Sequence, residues 1–224
     1  EEIVLLSPLG YSPTGEVFNL ALEDVATSAA IALKADKLIF LMDGPGMLDK
    51  RGKLLNEITA QEAEEELAKN NKQPEDIRLF VPCAIRACKE SVGRCHIIDR
   101  NIDGGLLSEL FTRAGIGTMV TRDPLEKLRT ATILDVGGII RLIEPLEVEG
   151  ILVKRSREQI EVEINNFSVL DYDGTIIGCV AFFPFQGEKA AELACMAVDP
   201  AYRNLGRGDT LLAHIETRAK KSGI

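Results

Sequence analysis

The order of apolar and polar positions in the first half of the chain predicts strands separated by helices. Ile3–Leu6 is a short apolar run that reads as the middle of a buried strand, and Gly10 and Gly15 bracket a loop. Helical, Ala-rich spacing covers Asp24–Lys34. The β-branched segment Lys37–Leu41 predicts a strand, ended by the turn Asp43-Gly44-Pro45-Gly46. Thr59 and Glu62 form a capping box that opens a charged helix to Lys69. After a loop at Asn70–Glu75, Pro82–Ser91 reads as helix, His96–Ile98 as strand and Leu106–Phe111 as helix. Gly115-Ile116-Gly117 then leads into a strand at Thr118–Val120. This alternation argues for a largely parallel sheet covered by helices.

A proline after polar residues, Thr121-Arg122-Asp123-Pro124, predicts a boundary between domains at 1–121 and 129–224. A new pattern follows it. Thr130–Ile133 reads as a short strand, and Asp135 caps a helix running to about Leu146. Ser156 and Gln159 make a second capping box, starting a helix to Asn165. Phe167–Leu170 and Thr175–Phe183 are strands joined across Tyr172-Asp173-Gly174, and Asp-Gly is a hairpin signal. Ala191–Val198 is a third strand, followed by a loop and the helix Asp209–Ala219. No internal repeat or low-complexity segment interrupts the pattern. Ile3–Leu6 at one end and Lys220–Ile224 at the other read as interior sequence, so both domains are expected to continue beyond the chain.

A length of 224 residues allows one large domain or two small ones, and 46% hydrophobic residues suffice for a core. The net charge of −9 repels phosphate backbones and disfavours a nucleic-acid partner. Five cysteines (83, 88, 95, 179, 195) include no C-x-x-C pair, and His96 and His214 stand far apart. That spacing predicts no metal site and reduced thiols in a cytoplasmic-type compartment, with a plastid equally suitable in a photosynthetic host. No apolar run is long enough to predict a membrane span.

The most informative motif is the segment Val198-Asp199-Pro200-Ala201-Tyr202-Arg203-Asn204-Leu205-Gly206-Arg207-Gly208-Asp209. It lies between a predicted strand and a predicted helix. Glycines let a backbone approach a ligand closely, and a helix start offers unpaired N–H groups and a positive dipole end. The expectation is a pyrophosphate cradle, with charge added by Arg203 and Arg207. The R-x-x-G-x-G order, the preceding V-x-P and the hairpin before it together resemble the GNAT N-acetyltransferases. The resemblance implies that the loop amides of Arg203, Asn204, Leu205, Gly206, Arg207, Gly208 and Asp209 hold acetyl-CoA. It also implies that the backbone of Cys195, Met196, Ala197 and Val198 contacts the pantetheine and acetyl groups. The Cys195 side chain reads as packing, because no histidine lies near it in sequence. His214, on the following helix, reads as solvated.

The similarity extends further. The stretches SPLGYSPTGEVFNLALEDVAT, ELFTRAGIGTM, IEPLEVEGILVKRSREQIE, IIGCVAFFPF and AELACMAVDPAYRNLGRGDTLLAHIE resemble the N-acetylglutamate synthases. In that family an amino-acid-kinase-like domain precedes a GNAT domain. The resemblance implies an α/β fold of that order, each domain cut short at its outer end. The implied reaction transfers acetyl from acetyl-CoA to L-glutamate, the first step of arginine biosynthesis. Direct transfer needs a base for the amine proton. Glu192 is the candidate, on an otherwise apolar strand where burial would raise its pKa. Arg155 and Arg157, flanking Ser156 at a helix start, are the candidate receptors for the glutamate carboxylates. The same family points to Glu109 and Gly115 as contacts for L-arginine acting as a feedback effector, and to a homo-oligomer assembled through the kinase-like domain. Asn19 matches the asparagine that contacts N-acetylglutamate in the acetylglutamate kinases, and Glu23 stands where those kinases carry a catalytic aspartate. Pro82-Cys83, however, stands where kinases carry a phosphate-contacting lysine, so no phosphoryl transfer is expected. An active kinase and a non-catalytic arginine-binding regulator are the alternatives.

Overall fold

The structure is a computed structural model that describes residues 2–69, 73–112, 115–185, 187–203 and 206–224. It divides into two compact units, Glu1–Pro124 and Leu125–Ile224.

The first unit opens with a small hairpin, β1 (Leu9–Tyr11) and β2 (Val17–Asn19), in the region expected to be loop. Ile3–Leu6 is not a buried strand. These residues carry no regular structure, and Ile3 and Leu5 are more than nine-tenths exposed. An apolar run becomes a strand only where a neighbour completes its hydrogen bonds, and none of the described strands pairs with it. Helix α1 (Leu22–Leu33) leads to β3 (Lys37–Met42). The short β4 (Glu57–Thr59) follows, and α2 (Ala60–Lys69) starts at the expected Thr59–Glu62 capping box, with Glu62 Oε2 2.9 Å from the Thr59 amide. Helix α3 spans Glu75–Glu90 and begins seven residues before the expected start, with Pro82 in its interior. Strand β5 (Arg94–Asp99), helix α4 (Gly105–Phe111) and strand β6 (Thr118–Thr121) complete the unit.

The sheet order is β3-β5-β6-β4. Strands β3 and β5 pair in parallel, as do β4 and β6, but β5 and β6 are antiparallel, so the sheet is mixed. Cys95, His96, Ile97 and Ile98 are consecutive and all buried, which marks β5 as covered on both faces. Helix α3 supplies Ile77, Val81, Ala84 and Ala87 to the core beneath it.

The second unit is an antiparallel sheet, β10-β9-β8-β7, with helices on both faces. Strand β7 is Glu126–Thr130, four residues earlier than expected. The residues read as strand instead enter a 3-10 turn at Ile133–Asp135, where Thr132 and Asp135 form a capping box. Helix α5 (Val136–Val148) and the short α6 (Arg157–Val162) precede β8 (Phe167–Tyr172), β9 (Thr175–Pro184) and β10 (Ala191–Val198). Helix α7 is Arg207–Lys221. Period-two alternation sends Phe167, Val169, Cys179 and Ala181 to one core with Val136, Ile139, Ile143 and Ile160. Leu170, Ile177, Val180 and Phe182 face the opposite way, against Leu211 and Ile215 of α7. Strand β9, central and buried on both faces, fixes the register of β10 and so the place where the β10–α7 loop begins.

Candidate active site

The loop after β10 is held to the sheet by its own backbone. The Asp199 amide donates to the Ile177 carbonyl at 2.8 Å, and the Asp199 carboxylate accepts from the Ala201 amide at 2.9 Å. Pro200–Tyr202 makes one 3-10 turn. Gly206, at φ +75°, then reverses the chain into α7; this left-handed conformation carries a steric cost for any residue with a Cβ. Among the described residues no side chain caps α7, so the first helical amides at Arg207, Gly208 and Asp209 are without an intrahelical acceptor. Asn204 and Leu205, two of the expected loop contacts, lie outside the described residues.

Arg207 has its charge paired within the protein, whereas Arg203 is exposed and held by a neutral backbone acceptor. Arg203 Nε donates to the Val198 carbonyl at 3.1 Å. Arg207 is mostly buried; its Nε and Nη2 both lie 2.7 Å from Glu126 Oε2, and its Nη1 donates to the Tyr202 carbonyl at 3.2 Å. Both brace the loop, because each has a fixed acceptor within reach.

Strand β10 is irregular where it approaches the loop. Ala194 pairs with Ala181 and Ala197 with Cys179, so Cys195 and Met196 together oppose Val180 in a bulge. Cys195 has φ +51°, a left-handed conformation rare outside glycine. The Cys179 thiol donates to the Cys195 carbonyl at 3.3 Å and pins the bulge from beneath. The Cys195 side chain is buried, as expected of packing, and burial pushes its thiol pKa up against the opposing charge of Arg155. Ala197 is buried, and Met196 and Val198 are half-buried.

Glu192 is exposed, not buried as expected from its apolar strand. It sits near the start of β10, a strand that pairs only with β9 among the described residues. Its register partner is Phe183, and the Arg155 guanidinium lies 4.7 Å from the centre of that ring. The Arg155 amide donates to Glu147 Oε1 at 3.0 Å, and its Nη1 donates to Glu163 Oε2 at 3.1 Å. Arg155, Glu147 and Glu192 lie near enough to the Cys195 thiol for their charges to act on it. Arg157 is not among them. It is exposed and pairs with Glu161 one helical turn on, at 2.8 Å. The capping box of Ser156 and Gln159 forms as expected. Glu147, Glu163 and Phe183 were not singled out from the sequence, since each acts through a contact made only by the fold. His214 is not solvated. It is half-buried with Nε2 3.0 Å from Ser168 Oγ, and burial, then Arg218 and Lys221, push its pKa down.

In the first unit Glu109 is buried and fully engaged. His96 Nδ1 lies 2.8 Å from Glu109 Oε1, while the Ile116 and Gly117 amides donate to Oε2 at 2.6 and 3.0 Å. Burial pushes this carboxyl up, but His96 and the two amides outweigh it and hold the pKa at about 2. Gly115, at φ +54°, lies against the same carboxylate; a Cβ there would come within 3.0 Å of Oε2. His96 Nε2 is buried without a hydrogen-bond partner among the described residues. Arg113 and Ala114, between the helix and this turn, lie outside the described residues. Asn19 is exposed on β2 and Glu23 lies in the first turn of α1. Pro82 and Cys83 stand in the middle of α3 rather than before a helix. Among the described residues no group of three or more His, Cys, Asp or Glu is placed to hold a metal ion, and no helix is long and apolar enough to cross a membrane.

Residues 1–99 match the Amino acid kinase family and residues 140–224 the Acetyltransferase (GNAT) family. An amino-acid acetyltransferase of Ectopseudomonas mendocina is 54% identical over 99% of this chain and 51% of its own length. One from Pseudomonas aeruginosa is 53% identical over the same shares. The crystal structure of N-acetylglutamate synthase from Neisseria gonorrhoeae, complexed with coenzyme A and L-arginine, superposes with a TM-score of 0.87 at 38% identity. It matches 96% of this chain and 49% of that one. The same enzyme complexed with coenzyme A and N-acetyl-glutamate gives a TM-score of 0.52 at 39% identity, over 97% and 50%. The chain therefore spans about half the length of the relatives it matches. With a segment matching the Amino acid kinase family followed by one matching the GNAT family, the chain is similar along nearly all its length to N-acetylglutamate-synthase-like fusions of those two segments.

Proposed function

We propose that the protein transfers the acetyl group of acetyl-CoA to the amino group of L-glutamate, under feedback control by L-arginine. The observation that carries this reading is the bulged end of β10 running into the uncapped, left-handed start of α7. A bulge frees backbone groups of Cys195–Val198 for a pantetheine chain and thioester, and the amides at Gly206–Asp209 suit a pyrophosphate. The relatives' complexes with coenzyme A support the same occupant.

In the proposed reaction the glutamate nitrogen, as the free amine, attacks the thioester carbonyl carbon. The carbon–sulfur bond breaks, and CoA leaves as the thiol after taking up a proton. Glu192 accepts the proton released by the amine, directly or through a water molecule; its exposure gives water access. Arg155, mostly buried and held by Glu163 and Phe183, receives a substrate carboxylate as a fixed cation. Arg157, already paired with Glu161, plays the smaller part.

L-Arginine is proposed to act in the first unit at Glu109 and Gly115. Because Glu109 is already held by His96 and two amides, the effector competes with an internal network for the same carboxylate. A cytoplasmic homo-oligomer assembled through the kinase-like segment completes the reading.

The test is CoA thiol release by the full-length protein from acetyl-CoA and L-glutamate, with and without L-arginine. Release suppressed by arginine is the expected result. Glu192→Gln is expected to lower kcat by about 10²-fold or more, with the KM for acetyl-CoA little changed. Release with another amine but not with glutamate would overturn the substrate, and activity indifferent to saturating arginine would overturn the effector.

A further inference from the structure

Arg207 is an unfavourable residue for the first position of a helix whose amides must meet an anion. The helix dipole is positive there and opposes a second cation, while a long mobile side chain would sweep across the amides it adjoins. Glu126 of β7, 81 residues earlier, answers both problems. Its Oε2 lies 2.7 Å from both Nε and Nη2 of Arg207, a short charge-assisted contact. The Arg207 side chain is only 14% exposed, so the pair is shielded from solvent more than a surface ion pair. The same guanidinium donates through Nη1 to the Tyr202 carbonyl at 3.2 Å and lies 5.3 Å from the centre of the Tyr202 ring. That ring is in turn 5.7 Å from the ring of Tyr172 on β8. One carboxylate on a sheet strand thus secures both flanks of the loop, the 3-10 turn before it and the helix start after it.

We infer that Glu126 is a positioning residue for the acyl-CoA pyrophosphate. It clamps Arg207 back onto Tyr202, so that the Gly206–Asp209 amides are presented in a fixed arrangement and clear of the arginine. This rests on the reading of the loop as the acetyl-CoA site. Glu126 acts through Arg207 at the loop, so its effect is expected at the nucleotide end of the cosubstrate.

The experiment uses the full-length protein with Glu126→Gln, Arg207→Ala and the double variant, with CoA binding followed by calorimetry. Glu126→Gln is expected to weaken CoA about tenfold, and the double variant to bind no more weakly than Arg207→Ala. Glu126→Asp, which keeps the charge, is expected to recover most of the affinity, and it stands in if Glu126→Gln fails to fold. In turnover, the KM for acetyl-CoA rises while that for the amine stays put. With S-acetylpantetheine, which has no pyrophosphate, Glu126→Gln and wild type are expected to react alike. CoA binding undiminished in Glu126→Gln, or an equal loss with S-acetylpantetheine, would overturn the inference. Failure of the wild-type protein to bind CoA at all would overturn the acetyl-CoA reading on which it rests.

Discussion

Glu109 carries its charge in a buried site because three donors surround it. Its side chain is 3% exposed, and its pKa is held at about 2 against an ordinary 4.5. A carboxyl depressed in this way stabilises the fold fully above its ordinary value, and that contribution is lost as the pH falls from 4.5 toward 2. The displacement corresponds to about 3 kcal/mol. Glu109→Gln lacks this contribution already at neutral pH, so it starts less stable and loses less on acidification. Urea unfolding of both proteins at pH 6 and near pH 2 measures the difference, and equal losses would show that Glu109 is not held as an ion. The same substitution is expected to abolish arginine inhibition if the effector needs that carboxylate. Glu109 was visible in the sequence only through family resemblance. His96, thirteen residues earlier, was visible only as a residue lacking metal partners, because a strand residue meets a helix residue only once the sheet is covered. Glu192 and Arg155 show the same limit. Their chemistry was legible, but the exposure of one and the burial of the other depend on which strand lies beside which.

Among the elements, α3 shows why a boundary signal can mislead. Proline is favoured at the first position of a helix, so Pro82 reads naturally as a start. The apolar residues Ile77 and Val81 nevertheless belong to the same buried face as Ala84 and Ile85, and burying that face carries the helix through the proline. The cost is local: the Arg78 carbonyl loses the amide partner that residue 82 would have supplied. Pro82→Ala restores the donor and is expected to raise the stability of the first unit by about 1–2 kcal/mol, less than the full helix penalty because alanine also frees the unfolded chain. Pro82 also lines a groove with Leu67 and Ile85, so a lower denaturation midpoint would mean that ring packing there outweighs the missing hydrogen bond. Elements with strong local signals were legible: the two capping boxes, the Asp-Gly hairpin and the alternating strands of the second unit. The three-residue strands β1, β2 and β4 were not, because so few residues carry no period of their own.

At the scale of the whole chain, the described residues form three cores on two four-stranded sheets. The first gathers residues from Ala30 to Val120, and the two faces of the second sheet gather residues from Ala131 to Ile215. Each core lies within one unit, and the two proposed ligands divide between the units. The loop at Gly206–Asp209 and its brace Glu126 lie wholly within the second unit, and Glu109, His96 and Gly115 wholly within the first. A ligand that binds only the folded form stabilises the structure that holds its site, by about 2.7 kcal/mol at a hundredfold excess over its Kd. Calorimetric unfolding of the full-length protein is therefore expected to resolve separate transitions. CoA should raise the one that exposes the second unit, and L-arginine the one that exposes the first. Limited proteolysis during the scan assigns each transition, since cleavage after Lys or Arg on either side of Pro124 reports which unit has opened. A single transition raised by both ligands would mean that the units unfold as one. It would also mean that arginine control passes through shared stability rather than through a change made in one unit and sensed by the other.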